Sequence, residues 1–153
     1  MKTVKTISGE ILLYFYLLQR QDVGQLKDAR VSFGFWQSRQ DNNVSGVQLD
    51  RRSESIFGVD DFKEYTDNDL YNAIVYLSDS GLIDFKDSPD NTGSNLFNFK
   101  VSAYGIDIVE GIERGEEEKK VFNMTFNFNI NNDVTVESLL KAEFGALFKA
   151  SVL

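Results

Sequence analysis

The sequence predicts an α+β fold in one domain, and three observations predict it. A capped, periodic stretch over residues 66–81 reads as a helix closed by glycine. Two alternating apolar runs after it, around a turn-rich loop, read as a β-hairpin. A further alternating run then leads into a periodic helix near the C-terminus. Length agrees, since 153 residues suit one domain of ordinary size. With 42% hydrophobic and 26% charged residues, the chain is neither a disordered segment nor a fibrous repeat.

The first element is a helix from Ile7 to Gln19, where Ile7, Ile11, Leu12, Phe15 and Leu18 recur at helical spacing and Ser8 can cap the start. Its apolar run is interrupted by Tyr14 and Tyr16 and ends in Gln19-Arg20, so it is neither a signal peptide nor a span of about 20 apolar residues. A cytoplasmic protein with no membrane contact is expected. Residues 20 to 64 form a glycine-punctuated stretch carrying Trp36. Periodicity there leaves open a helix at Val23 to Phe35 or a strand at Arg30 to Trp36.

Thr66 followed by Asp69 reads as a capping box with Asp in place of Glu, and Asp67 and Asp69 suit the positive end of a helix dipole. Leu70, Ala73, Ile74 and Leu77 make its apolar stripe, and Gly81 stands where a left-handed cap is wanted. The helix is expected from Asp67 to Ser80. Its outward face is Asn68, Asn72, Val75 and Asp79, flanked by Tyr71 and Tyr76. A hairpin follows, with strands at Leu82 to Lys86 and Leu96 to Val101 around a loop holding the only proline. Then come a helix from Ala103 to about Glu113, with Ile106, Val109 and Ile112 inward, and the charge run Glu116 to Lys120, read as a solvated linker or helix end.

The last third predicts a strand and a helix. Phe122, Met124, Phe126, Phe128 and Ile130 alternate with Asn and Thr, the pattern of a strand with one apolar face. Thr135 can cap a final helix whose wide apolar face holds Val136, Leu139, Leu140, Phe144, Leu147 and Phe148, with Gly145 inside it. Either this unit completes the chain's own core, or Phe126, Phe128, Leu140, Phe144 and Phe148 form the interface of a homodimer.

Several chemistries are missing. With no Cys and no His, the chain has no disulfide, no thiolate or imidazole metal ligand, no cysteine nucleophile and no histidine base. No Gly-rich phosphate loop follows a strand, and no Ser sits in a nucleophile elbow. Asp41-x-Asn43-x-Ser45-Gly46 matches half of a calcium loop, but the twelfth position is Arg52, so it reads as a turn. A non-enzymatic protein without cofactor or metal is expected.

The order of these elements resembles the winged helix-turn-helix family of bacterial and phage regulators, over residues 7–19 and 66–113. Two motifs carry the likeness. Gly81-Leu82-Ile83 resembles the close of a recognition helix into a wing, and Ser102, Gly105 and Glu110 resemble the entry from the second wing strand into the next helix. The resemblance implies a winged-helix core over residues 1–120 with an insertion at about 20–64. Residues 121–153 then form a C-terminal strand-helix extension packed on the same domain. It also implies a transcriptional regulator that binds duplex DNA, with a recognition helix presenting Asn68, Tyr71, Asn72 and Val75 and a wing presenting Lys86, Asn95 and Lys100.

Charge qualifies that expectation. The net charge is -8, and between Asp60 and Asp90 nine acids stand against Lys63 and Lys86. Phosphate contacts need Lys or Arg. The candidates are Arg20, Lys27, Arg30, Arg39, Arg51 and Arg52, in the only sizeable net-positive stretch, with Arg51 and Arg52 nearest the helix in sequence. The alternative partner is a basic, DNA-binding protein held by an acidic face of Asp67, Asp69, Asp79, Asp84, Asp87 and Asp90. Such a module would resemble the inhibitors of phages and mobile elements that mimic DNA.

Overall fold

In the computed structural model, which describes residues 2–21, 33–41, 43–48, 62, 64–131 and 133–144, the chain is wound around its first helix. This helix, α1 (Val4–Gln21), begins before Ser8. Thr3 stands at its start, its Oγ1 accepting from the Thr6 N–H at 3.3 Å and its carbonyl from the Ile7 N–H at 3.0 Å. Every residue from Ile7 to Leu17 is buried. A helix without a water-facing side must be enclosed by other elements, and Ser8 is therefore an interior residue. Its hydroxyl donates to the Val4 carbonyl at 2.6 Å, with the Ala73 carbonyl 3.3 Å away.

The inserted stretch supplies a strand, β1 (Phe33–Ser38), and its antiparallel partner β2 (Val44–Gln48). Of the two readings left open, the strand obtains, ending two residues later than expected. Ser45 and Gly46 of the half-matched calcium pattern lie in β2, and its first half lies in the turn between the two strands. There the Asp41 carboxylate accepts from the Asn43 backbone and side-chain N–H groups, each at 3.0 Å.

The capped helix α2 (Asp67–Asp79) matches its sequence reading, with both halves of the Thr66–Asp69 capping box formed and Leu70, Ala73, Ile74 and Leu77 buried. Gly81 takes a left-handed φ of 73°, which releases the chain into β3 (Ile83–Pro89) and β4 (Gly93–Val101). Asp90 closes the tip of this hairpin, its Oδ1 accepting from Thr92 N at 2.7 Å and Gly93 N at 3.0 Å. The hairpin does not stand alone. Strand β1 pairs antiparallel with β4, from Phe35 opposite Leu96 to Ser38 opposite Gly93, giving one four-stranded sheet in the order β2-β1-β4-β3. Phe35, Leu96, Phe99, Ile83 and Val101 are buried on the face covered by the helices, where the Phe15 ring lies 6.0 Å from Phe99 and Tyr71 lies 5.7 Å from Phe35.

Helix α3 (Ala103–Glu110) continues through a 3-10 turn, Gly111–Glu113. The two motifs that resemble a winged helix meet here as a single joint. Ser102 Oγ donates to the Gly81 carbonyl at 2.6 Å and Ser102 N–H to the Leu82 carbonyl at 3.0 Å, while Ser102 Oγ caps α3 through Gly105 N–H. A Cβ on Gly105 would lie 2.2 Å from the Leu82 oxygen, so only glycine lets the two segments close.

The expected strand over residues 121–130 is instead the helix α4 (Glu116–Phe126) and a short extended tail. The charge run is its first turn, where Glu116, Glu117 and Glu118 suit the helix dipole. Phe122 and Phe126, four residues apart, pack on one helical face with tilted rings whose centroids are 4.8 Å apart. Asn127 ends the helix in the left-handed region, and the Asn123 side chain then pairs with the Ile130 backbone through both N–H and carbonyl. Met124, expected on the apolar face, is exposed. Helix α5 (Val136–Phe144) is capped by Thr135 as expected, through Ser138 N–H at 3.0 Å. Gly145, Leu147 and Phe148 lie outside the described residues.

Of the two readings of this region, the described residues fit completion of the chain's own core. Phe126, Leu140 and Phe144 are buried in the chain's own core, and Phe128 is half-buried against it. The helical turn of α4 is the cause, since it sends Phe126 onto α1, where a Cβ on Gly9 would meet Phe126 Cβ at 2.7 Å. Helices α2, α3, α4 and α5 and strand β4 all touch α1.

Gly105→Ala is expected to lower the free energy of unfolding by about 1–3 kcal/mol, although Ala is the better helix former, because the Leu82 backbone must move. Urea denaturation measures it. An unchanged midpoint would mean that the joint between Leu82 and α3 is not tight.

Candidate recognition surface

The capping box and the apolar stripe fix the rotation of α2, so its outward face is set by arithmetic. Asn68, Asn72 and Asp79 are exposed and Val75 is half-buried. Both flanking tyrosines are taken up by the fold. Tyr71 Oη meets Gln37 Oε1 of β1 at 3.1 Å and Tyr76 Oη donates to the Thr125 carbonyl of α4 at 3.4 Å. Tyr71 is therefore a packing residue on the edge of this face. Asn68 and Asn72, one helical turn apart, remain open.

The hairpin residues go elsewhere. Successive strand residues point to opposite faces, so Lys86, next to the inward Phe85, and Lys100, between the inward Phe99 and Val101, leave the sheet on the face away from α2. Asn95, next to the buried Leu96, does the same and sits beside Trp36 in the register. Trp36 in turn covers Gly93, whose Cβ would fall 2.7 Å from the indole ring. The structure thus brings Asn68, Asn72 and Val75 together and puts Lys86, Asn95 and Lys100 on another surface.

The acidic residues divide as well. Asp69 is committed to the capping box and Asp90 to the hairpin turn. Asp79 and Asp87 stand exposed on the α2 side, since Asp87 pairs with the inward Leu96, whereas Asp84 faces outward opposite Lys100. Asp67 is half-buried in the first turn of α2. The Asp90 carboxyl is held below the usual range, first by the Thr92 backbone N–H and further by that residue's hydroxyl and by Arg39. Arg39 lies at the joined hairpin tips, its N–H donating to the Thr92 carbonyl at 2.8 Å.

Two of the bases expected to support α2 lie elsewhere. Arg39 is at the tips, and Arg20 lies over the Tyr16 ring, 5.7 Å from its centroid, at the far end of α1. Lys27, Arg30, Arg51 and Arg52 fall outside the described residues. The described residues hold ten Lys and Arg against eighteen Asp and Glu, so the whole of the -8 charge sits on them. Among them no group of three acids could hold a metal ion, and no helix is long and apolar enough to cross a membrane.

A second feature was not visible in the sequence. An open groove of about 800 Å³ lies between the end of α1, α3 and the start of α5, with Tyr16, Arg20, Glu110 and Glu137 on its walls and Ile106 and Val136 supplying apolar surface. Tyr16 Oη donates to Glu110 Oε2 at 2.6 Å. Comparison with protein-family models, curated proteins and solved structures finds no match for the chain.

Burial, and then the Glu110 carboxylate, raises the Tyr16 phenol far above its ordinary value of 10.0. Burial and Glu10 do the same to Tyr65, and burial alone raises Tyr71. Because the folded pKa values are raised, this contribution to stability is complete below pH 10 and is lost as pH climbs toward them. Ionisation of Tyr16, Tyr65 and Tyr71, followed by the ultraviolet tyrosinate band, is therefore expected only above pH 10 and together with loss of the far-ultraviolet helix signal. A single stage near pH 10 from all six tyrosines, with the helix signal intact, would contradict these environments.

Proposed function

We propose that the chain is a non-enzymatic recognition module of winged-helix type, as found in bacteria and phages, which holds a basic, DNA-binding protein through α2. The observation that carries this reading is the exposed face of α2, which presents Asn68, Asn72 and Asp79 and no cation, on described residues that bear the entire net charge of -8. Counterion release from phosphates supplies most non-specific DNA affinity and requires Lys or Arg at the contact. A basic protein surface meets the opposite condition. Its association with this face would be fast at low salt and slowed as salt screens the charges. Asp87, on the same side of the edge strand, extends the acidic surface.

A second reading, a transcriptional regulator binding duplex DNA, draws support from Asn68 and Asn72. Both are exposed one turn apart, and Asn pairs with the adenine edge in the major groove. Under that reading the phosphate contacts must come from bases outside α2.

Titration with random duplex DNA across a salt series distinguishes the two. The protein-binding reading expects no complex at low salt. It also expects a basic partner that co-purifies with the chain and is lost from the variant Asp67→Asn/Asp79→Asn/Asp87→Asn, with Asp69 left in place because it caps α2. A DNA complex that weakens steeply with salt and disappears in Asn68→Ala/Asn72→Ala would overturn it in favour of DNA.

A further inference from the structure

The groove at the end of α1 carries opposite charges that do not neutralise each other. Arg20 comes from the last turn of α1 and is held over the Tyr16 ring. Glu137 comes from the first turn of α5, and among the described residues neither meets an opposite charge within ion-pair distance. The other groups on the walls are mostly in use. Glu113 Oε1 accepts from the Val136 N–H at 2.6 Å, which caps α5, and Arg114 donates to the Asp107 carbonyl at 2.6 Å. Glu110 receives Tyr16 on one oxygen, and its other oxygen has no donor among the described residues. The open positions are thus one cation and two carboxylate groups on three different elements, with Ile106 and Val136 as apolar surface between polar ends.

We infer that this groove binds a zwitterionic ligand of the amino-acid and short-peptide class, its carboxylate on Arg20 and its ammonium on Glu137 and Glu110. A volume of about 800 Å³ falls within the range of small-molecule sites. The mixed charge argues against a simple anion and against a simple cation. An anion would find Glu110 and Glu137 beside its one partner, a cation would find Arg20, and only a ligand with both charges satisfies every open group. The planar guanidinium can donate two parallel hydrogen bonds to a carboxylate, and that of Arg20 lies over the Tyr16 ring, 5.7 Å from its centroid. The apolar surface favours aliphatic side chains. This inference is independent of what α2 binds.

The test is calorimetric titration of the full chain with leucine and with dileucine, each also in N-acetylated and C-amidated form. Saturable binding of the free zwitterion is expected, at least tenfold weaker for either blocked form. Arg20→Gln should weaken the free form at least tenfold while leaving the C-amide unaffected, and Glu137→Gln should do the same with respect to the N-acetyl form. Asn91→Ala, at the exposed hairpin tip and not among the groove residues, should bind as the parent does. If Arg20→Gln does not fold, the blocked ligands and Glu137→Gln decide the matter. No binding of either zwitterion at millimolar concentration, or equal binding of free and blocked forms, would overturn the inference.

Discussion

The rest of the structure depends on the burial of α1 from Ile7 to Leu17. An interior helix gains from every apolar side chain, on the order of 1.5–3 kcal/mol for each Leu, Ile or Phe removed from water, but it must also satisfy each polar group it carries in. Among these groups are Ser8, Glu10 and Tyr16, and each finds its partner in a different part of the chain. Ser8 reaches the Ala73 carbonyl of α2; Glu10 receives Tyr65 Oη at 2.7 Å and Lys2 at 3.0 Å; Tyr16 reaches Glu110 of α3. An orphaned buried donor or acceptor costs about 1–3 kcal/mol. These contacts therefore do more than stabilise, because they penalise any docking of α2 or α3 that leaves one of them unmade.

Local chemistry was legible where it was self-contained. The Thr66–Asp69 box, the Gly81 release and the Thr135 cap each need only a few neighbouring residues, and each is formed as read. The enclosure of α1 was not legible. Ser8, Tyr14 and Tyr16 look like polar positions of an amphipathic helix until partners far along the chain are in place, and Tyr14 packs on Phe62 and Phe144 at 5.4 and 5.7 Å. Residues 116–130 show a different limit. The alternating set Phe122, Phe126 and Ile130 is also a set at intervals of four, so the apolar positions fit a strand and a helix alike. The acidic first turn, Glu116 to Glu118, breaks the tie, because three acids stabilise the start of a helix and offer nothing to a strand interior.

The candidate surface was legible by the same division. Exposure of Asn68, Asn72 and Asp79 follows from 100° per residue once the buried stripe is known. The fates of Tyr71 and of the hairpin residues do not, since they depend on β1 pairing with β4, and nothing in residues 33–38 names that partner. The groove is further beyond reach of the sequence. Its walls come from residues 16 to 137, and none of their spacings carries a motif.

The position of Asp79 bears on how α2 works. It is the last residue of the helix, where the backbone carbonyls already make the end negative, and no basic residue stands in the last turn. An acid there costs about 0.3–1 kcal/mol, whereas Asp67 and Asp69 at the other end are favourable. The helix thus carries carboxylates at both ends, one pair placed for stability and one residue placed against it. A cationic side chain of a partner docking at this end would meet Asp79 and the terminal carbonyls together, and the local repulsion would become attraction. Phosphate docking at the same end would add a third negative element to two existing ones. On the proposed reading, then, the two ends of α2 differ in role. The first turn holds the helix in place, and the last turn is left electrostatically unsatisfied until a basic surface arrives.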